Sequence, residues 1–253
     1  MSAAGGRWRR AGGLCWLEPL WPAPAGVRAA FTSRVGGVSR GAWAGLNLAG
    51  HVGDLPAAVR GNRQRLAEAL RLPAEPRWLE QVHGDRVVAG CEEGPADGAW
   101  SDRPGEVCVV MTADCLPVLL CDRAGRQVAA VHAGWRGLAG GVLEAALRRF
   151  TVAPAGLLAW LGPCIGPEAF QVGGEVRDRF IAQAAEDAAC FRPDGDRWRA
   201  DLAGLARRRL VRLGVGGVFG GRWCTHADPG RFYSYRRDGV TGRMAALVWL
   251  EPA

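Results

Sequence analysis

The sequence predicts a mixed α/β domain, on three observations. Short, nearly continuous apolar runs recur at 106–112, 116–121, 127–132, 157–161 and 244–250, the pattern of strands buried on both faces. Segments with helical apolar spacing alternate with them. No Pro/Ser-rich linker, composition break or internal repeat divides the chain.

Taken in order, residues 1–13 are rich in Gly and Arg and read as a disordered start, leaving 14–253 as a single domain. A strand over 27–33 runs into Arg34-Val35-Gly36-Gly37-Val38-Ser39, whose paired glycines suit a turn with positive φ. Asp54 is expected to cap a helix with Pro56 in its first turn. That helix reaches Leu70 and keeps Val59, Leu66 and Leu70 on one face. Residues 77–83 and 86–89 read as paired strands. Helices are expected over 138–150, 173–190 and 201–213, the last capped by Asp201 and stopped by Gly214.

The formal net charge is +7 over 253 residues, yet all 32 basic residues are arginine and none is lysine. With alanine, glycine and proline also abundant, this is a pattern of coding bias. The basic residues are scattered, which argues against a nucleic-acid surface. Eight cysteines form no CxxC pair, and the N-terminus lacks the apolar core of a signal peptide. A reducing cytoplasm is the expected compartment. No apolar run approaches the length of a membrane span.

The most informative residues lie in Met111-Thr112-Ala113-Asp114-Cys115-Leu116-Pro117 and His132-Ala133-Gly134-Trp135-Arg136-Gly137. They put a cysteine and a histidine at the ends of a strand hairpin. A second histidine stands in Gln81-Val82-His83-Gly84, and the chain holds only four. Two His and one Cys form a plausible three-ligand shell for zinc with an open fourth position. Taken singly, Cys115 reads equally well as a packed small residue, and His83 as a turn histidine. Asp114, an acid in an apolar neighbourhood, needs a partner or a role. Arg136 and the backbone after His132 suit an anion. Gly162-Pro163-Cys164-Ile165-Gly166-Pro167 reads as a rigid loop or a pocket wall. Phe232-Tyr233-Ser234-Tyr235-Arg236-Arg237 sets aromatics beside arginines, suited to stacking a planar base or to an edge strand. No GxGxxG, P-loop or GxSxG element is present, so dinucleotide binding and the α/β-hydrolase reaction lack support.

Together these segments resemble the YfiH-like family, described variously as purine nucleoside phosphorylases, polyphenol oxidases ("laccases") and peptidoglycan editing factors. The match covers nearly the whole chain, from Phe31-Thr32-Ser33-Arg34 through Leu46-Asn47-Leu48 and Ala96-Asp97-Gly98 to Thr241-Gly242-Arg243-Met244. The resemblance implies a four-layer α/β/β/α sandwich, with His83, Cys115 and His132 as ligands of about one zinc per chain. It implies a phosphorylase that converts adenosine, inosine or guanosine with phosphate to free base and ribose 1-phosphate. Adenosine deamination is an implied side activity. Cys115, His132 and Asp114 are then the expected catalytic residues, and Arg34, Asn47, Gln81, Arg136 and Gly162 the expected substrate contacts. Arg34 and Arg136 are the candidates for phosphate. The family carries an aromatic residue where this chain has His226, so His226 is left out of the metal site. Four histidines cannot supply a multicopper set, so copper is not expected. Two alternatives keep the same residues: a cysteine amidase editing a cell-wall precursor, and a non-enzymatic zinc-stabilised partner protein. The expected partners are nucleosides and phosphate, with no nucleic acid and no membrane, for a cytoplasmic monomer.

Overall fold

Apolar residues at consecutive rather than alternate positions set the architecture, because the central strands are covered on both faces. The computed structural model describes residues 5–90 and 92–252. Along the chain lie β1 (Gly6–Ala11), β2 (Leu14–Pro19), β3 (Val27–Thr32), α1 (Pro56–Leu70), β4 (Val87–Ala89), β5 (Gly98–Ser101) and β6 (Val107–Thr112). The centre holds β7 (Leu116–Asp122), β8 (Val128–Ala133), α2 (Trp135–Gly140), α3 (Val142–Leu147) and β9 (Leu157–Leu161). Then come β10 (Gln171–Val172), α4 (Gly174–Ile181), β11 (Phe191–Asp194), β12 (Arg197–Ala200), α5 (Leu202–Arg212), β13 (Gly217–Gly220), α6 (Tyr235–Asp238) and β14 (Met244–Leu250).

Five antiparallel strands form one sheet in the order β1-β2-β3-β14-β6. Six form a mixed sheet, β13-β9-β7-β8-β5-β4, with parallel pairs only at its two edges. A small third sheet is β10-β12-β11. Phe31, Val110 and Val248 of the first sheet pack against Leu119, Ala130 and Trp160 of the second. On its other face the six-stranded sheet meets Leu143 of α3, Val176 of α4 and Leu205 of α5. The other face of the five-stranded sheet meets Leu66 of α1 through Val109 and Leu247. This is the mixed α/β class the sequence predicts.

Several local expectations need correction. Residues 6–11 are ordered: they form β1, paired with β2, and Trp8 packs against Trp223 at 5.6 Å while the arginines around it point outward. Residues 1–4 lie outside the described residues. Residues 77–83 form no strand, and β4 pairs in parallel with β5. The reason is tertiary: the backbone N–H groups of Val82, His83 and Gly84 donate to the Asp97 carboxylate instead of a ladder. Asp54 is not the cap of α1. That position is Leu55, extended because it precedes Pro56, and Asp54 is tied to Ser39 and Asn47. The helix expected over 138–150 splits into α2 and α3 at Gly141, whose φ of 105° continues no helix. The helix expected over 173–190 stops at Ile181, and a short 3₁₀ segment follows at Ala185–Cys190. Its buried Asp187 is gripped by Arg208 and Arg212 of α5. Asp201 does cap α5, accepting from Gly204 N–H.

Candidate metal centre

Antiparallel register builds the site. On the β7–β8 pair, Leu116 faces Ala133 and Pro117 faces His132, so Cys115 stands opposite Gly134. Cys115 and His132 are then diagonal neighbours, near enough for side chains to meet. Both share the strand parity of Leu119 and Ala130, which face the space between the two sheets. The missing side chain of Gly134 makes the approach feasible: a Cβ there would come within 2.9 Å of Cys115 Sγ and 3.1 Å of His83 Cδ2.

His83 arrives from the loop before β4 with φ 61°, a conformation uncommon for a residue with a side chain. Asp97 enforces it. Its carboxylate accepts from three successive N–H groups, including His83 N at 3.0 Å and Gly84 N at 2.7 Å. The same carboxylate lies 2.7 Å from His132 Nδ1 and is fully buried. One acid thus orients one imidazole and shapes the loop that carries the other.

The electrostatics follow from this packing. Burial pushes the Cys115 thiol up, but the neighbouring His132 and His83 rings outweigh it and bring the thiol down to about 6. Burial pushes His132 down, but Cys115 and Asp97 outweigh it and raise it to about 9. Burial likewise disfavours the charged Asp97, yet the bond with His132 holds it below the ordinary carboxylate range. The pair therefore favours a thiolate beside an imidazolium.

The ligand atoms of His83, Cys115 and His132 all lie within 4.8 Å of one another. Among the described residues no other three His, Cys, Asp or Glu gather in this way. Two imidazoles, a thiolate of lowered pKa and a carboxylate behind one imidazole are the donor chemistry of a metal centre, and the residues fit one.

The cluster opens into a cavity of about 560 Å³. Trp135, Phe170 and Tyr235 supply aromatic wall, and Arg136, Arg236 and Arg243 supply positive charge. Of the residues expected from sequence, Cys115, His132, His83, Asp114, Gln81 and Arg136 line it. Gln81 is engaged in structure, its side-chain amide pairing with both the N–H and the C=O of Met111. Asp114, at φ 91°, spends its carboxylate on Thr225 Oγ1, Ser234 Oγ and Arg236 N. Arg34, Asn47 and Gly162 are not on the cavity wall. Arg34 donates to the carbonyls of Pro229 and Ala44, with its guanidinium 4.6 Å from the Tyr233 ring centre. Asn47 is buried and bonds Asp54 and Arg243 N. Gly162 packs under Pro117. His226 lies outside the metal cluster.

Sequence reasoning missed Asp97, Arg243 and His51. Asp97 carries a signal, an acid among small residues in Pro95-Ala96-Asp97-Gly98. Arg243 stands in the family-like segment Thr241-Gly242-Arg243-Met244, but its meeting with His51 at the cavity depends on the packing of distant loops.

Fold and site together define an α/β protein built around a candidate metal centre in an arginine- and aromatic-lined cavity. The chain belongs to the family described as multi-copper polyphenol oxidoreductase laccase, whose model matches residues 28–251. Purine nucleoside phosphorylase PA4543 of Pseudomonas aeruginosa is 56% identical over 93% of this chain and 98% of its own. Purine nucleoside phosphorylase YfiH of Escherichia coli is 53% identical over 92% and 98%. Among solved structures, Neisseria meningitidis NMB0706 superposes with a TM-score of 0.90 at 48% identity, covering 94% of this chain and 99% of that one. YlmD of Geobacillus stearothermophilus gives 0.90 at 31% identity, covering 99% and 100%. No helix among the described residues is long and apolar enough to cross a membrane.

Proposed function

We propose that this protein is a zinc-dependent purine nucleoside phosphorylase. It cleaves adenosine, inosine or guanosine with phosphate to the free base and ribose 1-phosphate. The observation that carries this reading is the His83–Cys115–His132 cluster opening onto a cationic, aromatic cavity, in a chain whose relatives bear that name. A zinc ion, when bound there, supplies a Lewis acid and lowers the pKa of a bound water. Zinc is the proposed metal because two imidazoles and a thiolate leave one tetrahedral position open, and four histidines are too few for a multicopper set.

The chain's own residues do the rest. Asp97 fixes His132 through Nδ1 and leaves the other ring nitrogen for the centre. The aromatic wall stacks the purine. The arginines concentrate phosphate beside the sugar. A phosphate oxygen bonds to C1′ as the C1′–N bond breaks. The base leaves with that electron pair and is protonated. Adenosine deamination is the proposed side activity. Small-molecule substrates are the proposed partners, for a cytoplasmic monomer.

One observation favours a second reading. Cys115, His132 and Asp97 are arranged as nucleophile, base and orienting acid, the pattern of a cysteine hydrolase. Metal content separates the two, since a metal-bound thiolate is a poor free nucleophile. The test pairs metal analysis of the purified protein with a nucleoside assay. Zinc near one per chain and phosphate-dependent release of base with ribose 1-phosphate are expected. Base release without phosphate, yielding free ribose, rules the phosphorylase out.

A further inference from the structure

We infer that Arg243 is the principal anchor of the attacking phosphate, in a subsite flanked by His51. The inference rests on the phosphorylase reading. Of the three cavity arginines, Arg136 and Arg236 are exposed, while Arg243 is half-buried. Arg236 is already engaged with the carbonyl of Gln171, and Arg136 lies 4.4 Å over the ring of its neighbour Trp135, against 5.8 Å for Arg243 over Tyr235. Of the other half-buried arginines of α5, Arg209 holds Glu144 and Arg208 holds Asp187, while Arg207 donates to the carbonyls of Val218 and Gly220. Among the described residues Arg243 makes no ion pair, although it lines the same cavity as the thiolate. The one carboxylate on that wall, Asp114, is committed to Thr225, Ser234 and the Arg236 backbone.

Arg243 is also held in place. Its Nη1 donates to Thr241 O and Gly242 O at 2.9 and 3.0 Å, and its backbone N–H donates to Asn47 Oδ1 at 2.9 Å. Asn47 is itself locked to Asp54. The remaining guanidinium edge, Nε and Nη2, donates to no protein acceptor among the described residues. Burial disfavours this guanidinium, the charges of Cys115 and Asp114 offset only part of that cost without pairing with it, and a ligand anion removes the rest. The guanidinium fork matches a phosphate oxygen pair. The nucleosides in question are uncharged, so phosphate is the substrate that supplies the anion. His51 stands on the same wall and adds a ring nitrogen; burial, Arg243 and Arg63 all lower its pKa.

The experiment measures inorganic phosphate binding by calorimetry, and the KM values of phosphate and inosine, in the wild-type protein and in Arg243→Lys and Arg243→Met. Circular dichroism verifies folding. A charge-assisted bond is large enough that Arg243→Lys should raise the phosphate KM about tenfold and Arg243→Met about a hundredfold. The inosine KM should rise several-fold less than the phosphate KM. Arg243→Lys keeps the charge and decides the matter if Arg243→Met does not fold. An unchanged phosphate KM in a folded variant, or a parallel rise in both KM values, overturns the subsite assignment alone. A wild-type protein that releases base without phosphate overturns the phosphorylase reading and this inference with it.

Discussion

The knot of Ser39, Asn47, Asp54 and Asn62 and the cluster of His83, Asp97, Cys115 and His132 are both polar and both reach into the interior. They differ in whether their bonding is complete. In the knot, Asn62 accepts from Val38 N and donates to Ser39 Oγ and the carbonyl of Asn47. Asp54 accepts from Ser39, Asn47 and Leu55 N. The side chains satisfy one another and the turns around them. In the cluster, Asp97 is saturated, but the ligand atoms of His83, Cys115 and His132 face one another and a cavity. Beside them the buried hydroxyl of Thr112 has no partner among the described residues. A closed network of this kind holds a fold together; an open one of similar composition marks where a ligand goes.

Variants can break or sharpen that contrast. The largest effect is expected from Cys115→Ala. It removes the only thiolate of the cluster, so metal analysis should find most of the metal gone and turnover should fall roughly a thousandfold. Full metal occupancy in this variant would place the centre elsewhere. Asp97→Asn comes next. It weakens the charge behind His132 and the grip on the His83 loop, and metal affinity by competition with a chelator should drop about 10–100-fold. An affinity equal to wild type would make Asp97 a purely structural acid.

Asn62→Ala should show the opposite signature. Several buried donors and acceptors lose partners, so chemical denaturation should show a loss of about 2–4 kcal/mol. Metal bound per folded chain should not change. Metal loss at unchanged stability would erase the distinction between the two networks. The smallest effect is expected at His226, whose ring is not in the cluster. His226→Phe should leave metal content at the wild-type level; loss of metal would reveal a missed ligand.

Much of the framework can be read from the chain itself. β6 to β9 and β14 are visible because burial on both faces turns each into an unbroken apolar run. The hairpin carrying Cys115 and His132 follows from two such runs and a turn. β1 escaped because arginines on an edge strand resemble those of an unstructured tail. The loop 77–83 has apolar residues at strand-like spacing, but its N–H groups are claimed by an acid 13 to 15 residues away.

The sequence by itself determined the α/β class, the central strands, and the three side chains able to bind a metal, because these depend on residue type and local periodicity. Only the tertiary structure decided that those three converge, that Asp97 holds them, and that Arg243 rather than Arg34 faces the cavity. The two arginines are alike as residues. One is consumed by the carbonyls of Pro229 and Ala44 and the ring of Tyr233, and the other keeps a free edge. Which donors remain free is settled by contacts across long stretches of chain, and local spacing carries no record of them.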